Sequence, residues 1–411
     1  MRSVSVNERR FRLAHRHGLV EPPKDPVEVA RTMVGLHSSD PSTVFLSIHA
    51  RIPEITVADI ETALYEDRSI VRILGMRRTM WVTPTEFAPI LDSSSTRTLV
   101  GPQQKRQAFM IESPGISDDG ATWAKRIGEE TLAALRQRGE ATARELTEDV
   151  PELGETITMR KKDGSVMAAV GVSTRVLFLL ATEGRIVRAR PLGSWISSQY
   201  RWTTIESWLG SPLSQLDEDE ARERLLEEWL MAFGPGTVTD MKWWTGWTVT
   251  AVRETLERIA AVEVDVNDET GYLHRDDEAT VSPPEPWVGL LPSLDPTTMG
   301  WKKRDWYLGD HSAQLFDRNG NARPTVWVDG RIVGGWAQRK TGEIAYEIFE
   351  EIGGTAEAAI EARAAALETW IGDVRVTPRF RSPHDKKLSN RGETTDNSRR
   401  LIISFVSQPE K

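Results

Sequence analysis

At 411 residues, with a formal net charge of −9 and no cysteine, the chain cannot form disulfides, cysteine-ligated zinc sites or iron–sulfur clusters, and it has no thiolate nucleophile. The acidic balance argues against a protein that coats nucleic acid non-specifically, while leaving room for a local basic groove. Hydrophobic and charged fractions of 39% and 27% fit an ordinary globular chain of several domains, and no stretch approaches the roughly 20 apolar residues that span a bilayer.

The first residues, Met1 to Glu8, contain no apolar signal core, so a cytoplasmic protein is expected. Residues 7–20 and 26–36 read as helices, the second with an apolar stripe of Val27, Val29, Ala30, Met33, Val34 and Leu36. Between that stripe and the next helix lies Gly35-Leu36-His37-Ser38-Ser39-Asp40-Pro41, which sets an imidazole, two hydroxyls and a carboxylate side by side. Asp40 followed by Pro41 is a helix start, a carboxylate cap with proline at the first helical position. A fourth helix opens at Thr56 and runs to Glu66. Ile70–Leu74 and Thr79–Thr83 read as two strands joined by Gly75-Met76-Arg77-Arg78, and helices followed by such a hairpin make a winged helix.

The pattern recurs. A short helix starts at Ala141, Ser173–Leu180 is a buried helix, and Gly184–Arg190 looks like a wing strand. A third copy has a helix over 217–233, a break at Phe233-Gly234-Pro235-Gly236, helices opening at Thr237 and Thr248, and an alternating strand at Val262–Val266. Pro283-Pro284-Glu285-Pro286 is a linker. Beyond it, Pro324–Trp336 is a hairpin with an Asp329-Gly330 turn, Ile344–Phe349 a strand and 355–370 a helix. The expected fold is therefore α+β: three tandem winged-helix modules (1–115, 116–214 and 215–282), a C-terminal β-rich domain with a helix (283–377), and a polar tail (378–411). Core packing is the first explanation for most of the 15 tryptophans.

Six segments carry a family resemblance: Val34–Pro41, Arg72–Thr79, Phe233-Gly234-Pro235, Trp244-Thr245-Gly246-Trp247, Leu290–Asp295 and Val328–Arg331. In this order and spacing the chain resembles the AlkZ/YcaQ-type winged-helix DNA glycosylases over residues 8–370. The resemblance implies three tandem winged helices with a C-terminal β-rich domain, and excision of bulky N7-alkylated purines from duplex DNA. It implies a monomer that needs no cofactor. The family's catalytic motif is Gln-x-Gln or Gln-x-Asp. This chain has His37-Ser38-Ser39 at that place.

An N7-alkylated purine is cationic and already a good leaving group, so the enzyme's task is to stabilise an oxocarbenium-like sugar and position a water. His37, if neutral, can orient that water and accept its proton, Ser39 can hold it, and Asp40 can stabilise the sugar or fix His37. Each has a plainer reading: His37 and Asp40 as helix-end caps, and Ser38 and Ser39 as loop residues beside them. Basic clusters offer phosphate contacts: Arg72, Arg77 and Arg78 on the first wing, Arg185, Arg188 and Arg190 on the second, Arg160, Lys161 and Lys162 in an irregular stretch, and Arg339 and Lys340 at a C-terminal hairpin tip. Against these stands the reading as solvated surface charge, with Arg72 buried and paired. Ser38, Tyr200, Trp202 and Asp295 are candidates to line a central cleft, with core packing the alternative for Trp202. The seven histidines are scattered without metal-binding spacing, so no metal is expected.

Two other functions fit the same residues. One is a DNA-binding protein without catalysis, a regulator or a protein that sequesters lesions, which the replaced glutamines favour. The other is a winged-helix scaffold for protein partners, for which the acidic charge is the only hint.

Overall fold

Helices begin where short polar side chains can satisfy the free amides of a first turn. Asp25 accepts from the Glu28 amide at 2.8 Å and starts Pro26–Thr32. Thr142 and Glu145 form a reciprocal capping box on Ala143–Asp149. Thr248 caps Val249–Arg258, and Asp40 caps Pro41–Arg51 with proline at its first position. The expected elements at 217–233, 237–259, 324–336, 344–349 and 355–370 are present, the last as Gly354–Ile371.

The computed structural model describes residues 1–161, 163–379 and 388–389, and the backbone of 400–402. Lys162 and most of the expected polar tail lie outside the described residues. The chain forms two compact units. One holds residues 1–60, 227–244 and those from 248 onward; the other holds 61–226 and 245–247. These units do not follow the linear boundaries expected at 115, 214 and 282. The reason lies in pairings of long sequence separation. Arg2–Ser3 adds a parallel strand to Val262–Asp265, and Asp277 takes the guanidinium groups of Arg12 and Arg16.

The first unit contains two sheets. A four-stranded sheet runs in the order Arg2–Ser3, Val262–Asp265, Thr270–Leu273, Gly236–Thr237 over a small core of Val4, Val264, Val266 and Leu273. Its central hairpin turns through Asn267 and Asp268, with φ of 53° and 63°. A five-stranded sheet runs in the order Val288–Leu291, Thr325–Val328, Arg331–Gln338, Ile344–Ile348, Arg400–Ile402. The turn at Asp329-Gly330 has positive φ at both residues, 46° and 79°, which matches the twist of its strands. Gly354–Ile371 packs on this sheet against Val288–Leu291 and Ile344–Ile348. The tryptophans expected in the core are there: Trp229, Trp244, Trp301 and Trp327 surround Phe233 and Tyr307 with ring centroids 5.3–6.5 Å apart.

The second unit contains three antiparallel hairpins. Ile70–Leu74 pairs with Met80–Pro84 as expected, but every residue of both strands is buried, so this hairpin is core and not an exposed wing. Its turn is closed by Gly75, where a Cβ would lie 2.8 Å from the Trp81 ring. Ile186–Pro191 pairs with Tyr200–Thr204. A third hairpin, Thr156–Arg160 with Val166–Gly171, forms where an irregular stretch was expected. Two long helices, Val100–Glu112 and Gly120–Arg138, were also not anticipated. The first buries only Gln103, Gln107 and Ile111, so it carries no apolar stripe to announce it.

Candidate active site

The Pro26–Thr32 helix ends early because Val34 takes φ 59° and Gly35 φ 151°. A β-branched residue in the left-handed region is strained, and the surrounding structure must hold it there. The turn sends Leu36 and His37 out as extended chain, and Asp40 then starts the next helix. His37, Ser38 and Asp40 are 5%, 1% and 4% exposed, and only Ser39 reaches the surface. Ser38 is thus packed inside and does not line a cleft. His37 Nδ1 accepts the Ser39 amide at 3.4 Å, which places the imidazole proton on Nε2. A ring in this tautomer orients a partner by donation, and the proton-accepting nitrogen faces its own backbone.

Asp40 uses both carboxylate oxygens. Oδ1 accepts from the Ser42 amide at 3.1 Å and its hydroxyl at 2.7 Å, and Oδ2 accepts from the Arg379 amide at 2.8 Å. The Arg379 guanidinium also donates to the Ser39 carbonyl at 3.1 Å. The segment after the last long helix therefore covers the motif. Gln338 holds that segment: its amide nitrogen donates to the Val374 carbonyl at 3.2 Å and its oxygen accepts from the Val376 amide at 2.7 Å. Beside the motif helix, Ser42, Leu46, Gln338, Val376 and Pro378 enclose a space of only about 10 Å³. Neither Gln338 nor Arg379 was flagged by the sequence, since nothing local signals a contact across 339 positions.

The far end of the same helix is anchored by a buried ion pair. Arg51 donates to both oxygens of Asp295 at 2.9 Å, and both side chains are fully buried. Ser47 donates to Asp295 at 2.7 Å, Arg51 donates to Thr297 at 2.7 Å, and Thr297 meets His17 Nδ1 at 2.9 Å. Burial alone would raise the Asp295 carboxyl, but the Arg51 charge and these hydrogen bonds outweigh it and hold it below the usual range. Asp295 is therefore not a cleft residue. Together with Ser293, whose carbonyl accepts from Thr43 at 2.7 Å, it docks the motif helix on the C-terminal segment.

The basic candidates separate by environment. Arg72 is 2% exposed, bonded to the Tyr65 hydroxyl at 3.1 Å and 4.8 Å from the Tyr200 ring, so it cannot reach a phosphate. Arg339 is 6% exposed and paired with Glu343 at 2.6 Å, which corrects the expectation that it faces DNA. Arg185 is bonded to Glu129 at 2.5 Å, and Arg190 to Glu61 and Glu66 at 2.6 and 2.7 Å. Arg188 lies over Tyr200 and Trp202, at 5.0 and 5.1 Å. Tyr200 is itself buried and Trp202 packs against the second unit's core, so neither lines a cleft. Arg78 and Lys340 are exposed, and Arg77 is partly so. Gly246 takes φ 83°, a conformation that glycine adopts without strain.

Among the described residues no group of three His, Asp or Glu side chains could hold a metal ion, and no helix is long and apolar enough to cross a membrane. The AlkZ-like DNA glycosylase family model matches residues 30–370. The chain belongs to that family. Among solved structures it is similar to the DNA glycosylase AlkZ of Streptomyces sahachiroi, at 19% identity and a TM-score of 0.69, over 98% of this chain and 100% of the other. No curated protein sequence matches it.

Proposed function

We propose that this protein is a monofunctional DNA glycosylase that hydrolyses the N-glycosidic bond of bulky or cationic N7-alkylated purines in duplex DNA. The observation that carries the reading is family membership over residues 30–370 combined with the motif's position at the capped start of an anchored helix. The leaving purine already bears positive charge, so its departure needs little acid catalysis. The residues at the motif have two tasks, to direct a water at C1′, whose proton passes to bulk water while the purine leaves as a neutral base, and to offset positive charge on the sugar. His37 orients by donation through Nε2, Ser39 supplies the surface hydroxyl, and the Asp40 carboxylate lends negative charge while it caps the helix. No lysine lies in the motif, so water rather than a lysine amine is the nucleophile, and the product is an abasic site.

Arg379 bonds both Asp40 and the Ser39 carbonyl, so entry of a nucleobase is expected to displace the Val376–Arg379 segment from the motif. Arg77, Arg78 and Lys340 are the phosphate contacts this reading retains. Duplex DNA carrying N7-methylguanine, and a second carrying a bulky N7 adduct, are incubated with the protein and free base is quantified. Release above the spontaneous rate with an intact abasic strand supports the reading. Strand cleavage by β-elimination would contradict the monofunctional part.

A second reading, DNA binding without excision, draws on the burial of His37 and on the full use of Asp40 by Ser42 and Arg379. It predicts retained duplex binding with no base release from either adduct.

A further inference from the structure

The second unit contains a pocket of about 610 Å³ between the Val100–Glu112, Gly120–Arg138 and Val172–Thr182 helices. Pockets that bind small molecules fall within roughly 300–1,000 Å³, with apolar walls and a few placed polar groups. Its lining combines the small residues Ala121, Ala124 and Gly128 of one helix with the apolar side chains Val176, Leu179 and Leu180 of another. Packing does not demand a glycine at 128. A Cβ there would meet only the Leu180 side chain, at an ordinary 3.6 Å. A glycine inside a 19-residue helix destabilises it relative to alanine, and at this position it widens the pocket.

The polar groups are specific. Gln107 lines the pocket, is 1% exposed, and its side-chain oxygen accepts no hydrogen bond among the described residues. A buried amide oxygen without a donor is costly, and a ligand N–H or O–H would satisfy it. At the rim the carboxylates are already engaged: Glu129 binds Arg185, and Glu183 accepts from Gln104 at 2.9 Å. Lys105 and Lys125 also line the pocket, are exposed, and form no ion pair among the described residues.

The geometry points to a binding site for a small aromatic anion that carries one N–H or O–H donor. Its rings lie against the apolar lining of Ala121, Ala124, Val176 and Leu179, its donor meets the Gln107 oxygen, and its anionic group meets Lys105 and Lys125. The site belongs to the second unit and uses none of the residues assigned to base excision.

The test titrates the full chain with 8-anilinonaphthalene-1-sulfonate, which has aromatic rings, a bridging N–H and a sulfonate, reading fluorescence and calorimetric stoichiometry under conditions where the protein is folded. One saturable site is expected. Gln107→Leu, which keeps the volume and removes the acceptor, weakens binding about fivefold, the size of one net hydrogen bond. Lys125→Glu weakens it further, and Ala124→Trp, which fills the pocket, abolishes it. Should Ala124→Trp fail to fold, Gly128→Leu fills the same space from the next turn of the helix. Absence of saturable binding to the wild type overturns the site. So does binding that survives a folded pocket-filling variant. Binding that is blocked by filling yet unchanged in Gln107→Leu overturns the donor assignment and with it the ligand class.

Discussion

Asp40 and Asp295 sit at opposite ends of one helical story and differ in what their loss would do. Asp40 is a cap, and replacing such a residue by alanine typically costs about 1 kcal/mol. Asp295 is half of a fully buried, bidentate pair with Arg51, and removing one partner strands a charge, at about 3–5 kcal/mol. Chemical denaturation should therefore show Asp295→Ala far less stable than Asp40→Ala. Equal losses would mean the pair does not anchor the helix. The histidines add a pH dependence. Burial first, and then the charge of Arg51, hold His17 down at about 3; burial, and then Arg363, hold His49 at about 4. In the unfolded chain both titrate near the ordinary 6.5. Between these values the unfolded chain binds protons that the folded chain refuses. Stability from these groups is thus complete above pH 6.5, falls as pH drops through the window, and stops falling below about 3. The urea midpoint of the wild type should fall between pH 7 and pH 4.5 by more than that of a His17→Asn/His49→Asn variant. An equal fall in both would contradict the assignment.

At the scale of elements, the sequence was most legible where one residue type has one physical use. Asp40-Pro41, Thr248 and Asp329-Gly330 announce their helix starts and turn through capping and positive φ, and the structure places them so. The wings were less legible. Alternation and a Gly-containing turn reveal a hairpin, but whether its arginines face solvent depends on what packs against it. Arg72 lies under Tyr200, and Tyr200 is more than a hundred residues away in sequence. The cover over the motif was not legible at all, because it depends on a backbone amide of Arg379, which has no sequence signature. That contact carries a prediction. Arg379→Pro removes both the amide that binds Asp40 and the guanidinium that binds the Ser39 carbonyl. Hydrogen bonds to charged groups contribute about 1.5–3 kcal/mol, so the uncovered population should grow and kcat/KM for base release should rise about tenfold. A fall in kcat/KM would show that the segment helps to build the site and does not cover it.

For the whole molecule, an acidic chain that binds duplex DNA must gather its few available cations. Arg185, Arg190 and Arg339 are engaged by carboxylates, whereas Arg78 and Lys340 are exposed. Each phosphate contact contributes about 0.9 to the slope of log K against log salt. Arg78→Ala and Lys340→Ala should each flatten that slope by about this amount, and Arg72→Gln should leave it unchanged while lowering thermal stability. A slope altered by Arg72→Gln alone would show that DNA binding opens the buried hairpin.

In the proposed mechanism His37, Ser39 and Asp40 do the work of the family's glutamine motif. The most direct test is single-turnover release of N7-methylguanine from duplex DNA by the wild type, His37→Ala and Ser39→Ala, with duplex affinity measured alongside. Release by the wild type is expected, with a loss of at least about tenfold in His37→Ala, a smaller loss in Ser39→Ala, and unchanged affinity in both. Release by His37→Ala at the wild-type rate would contradict the mechanism and move the chemistry elsewhere in the molecule.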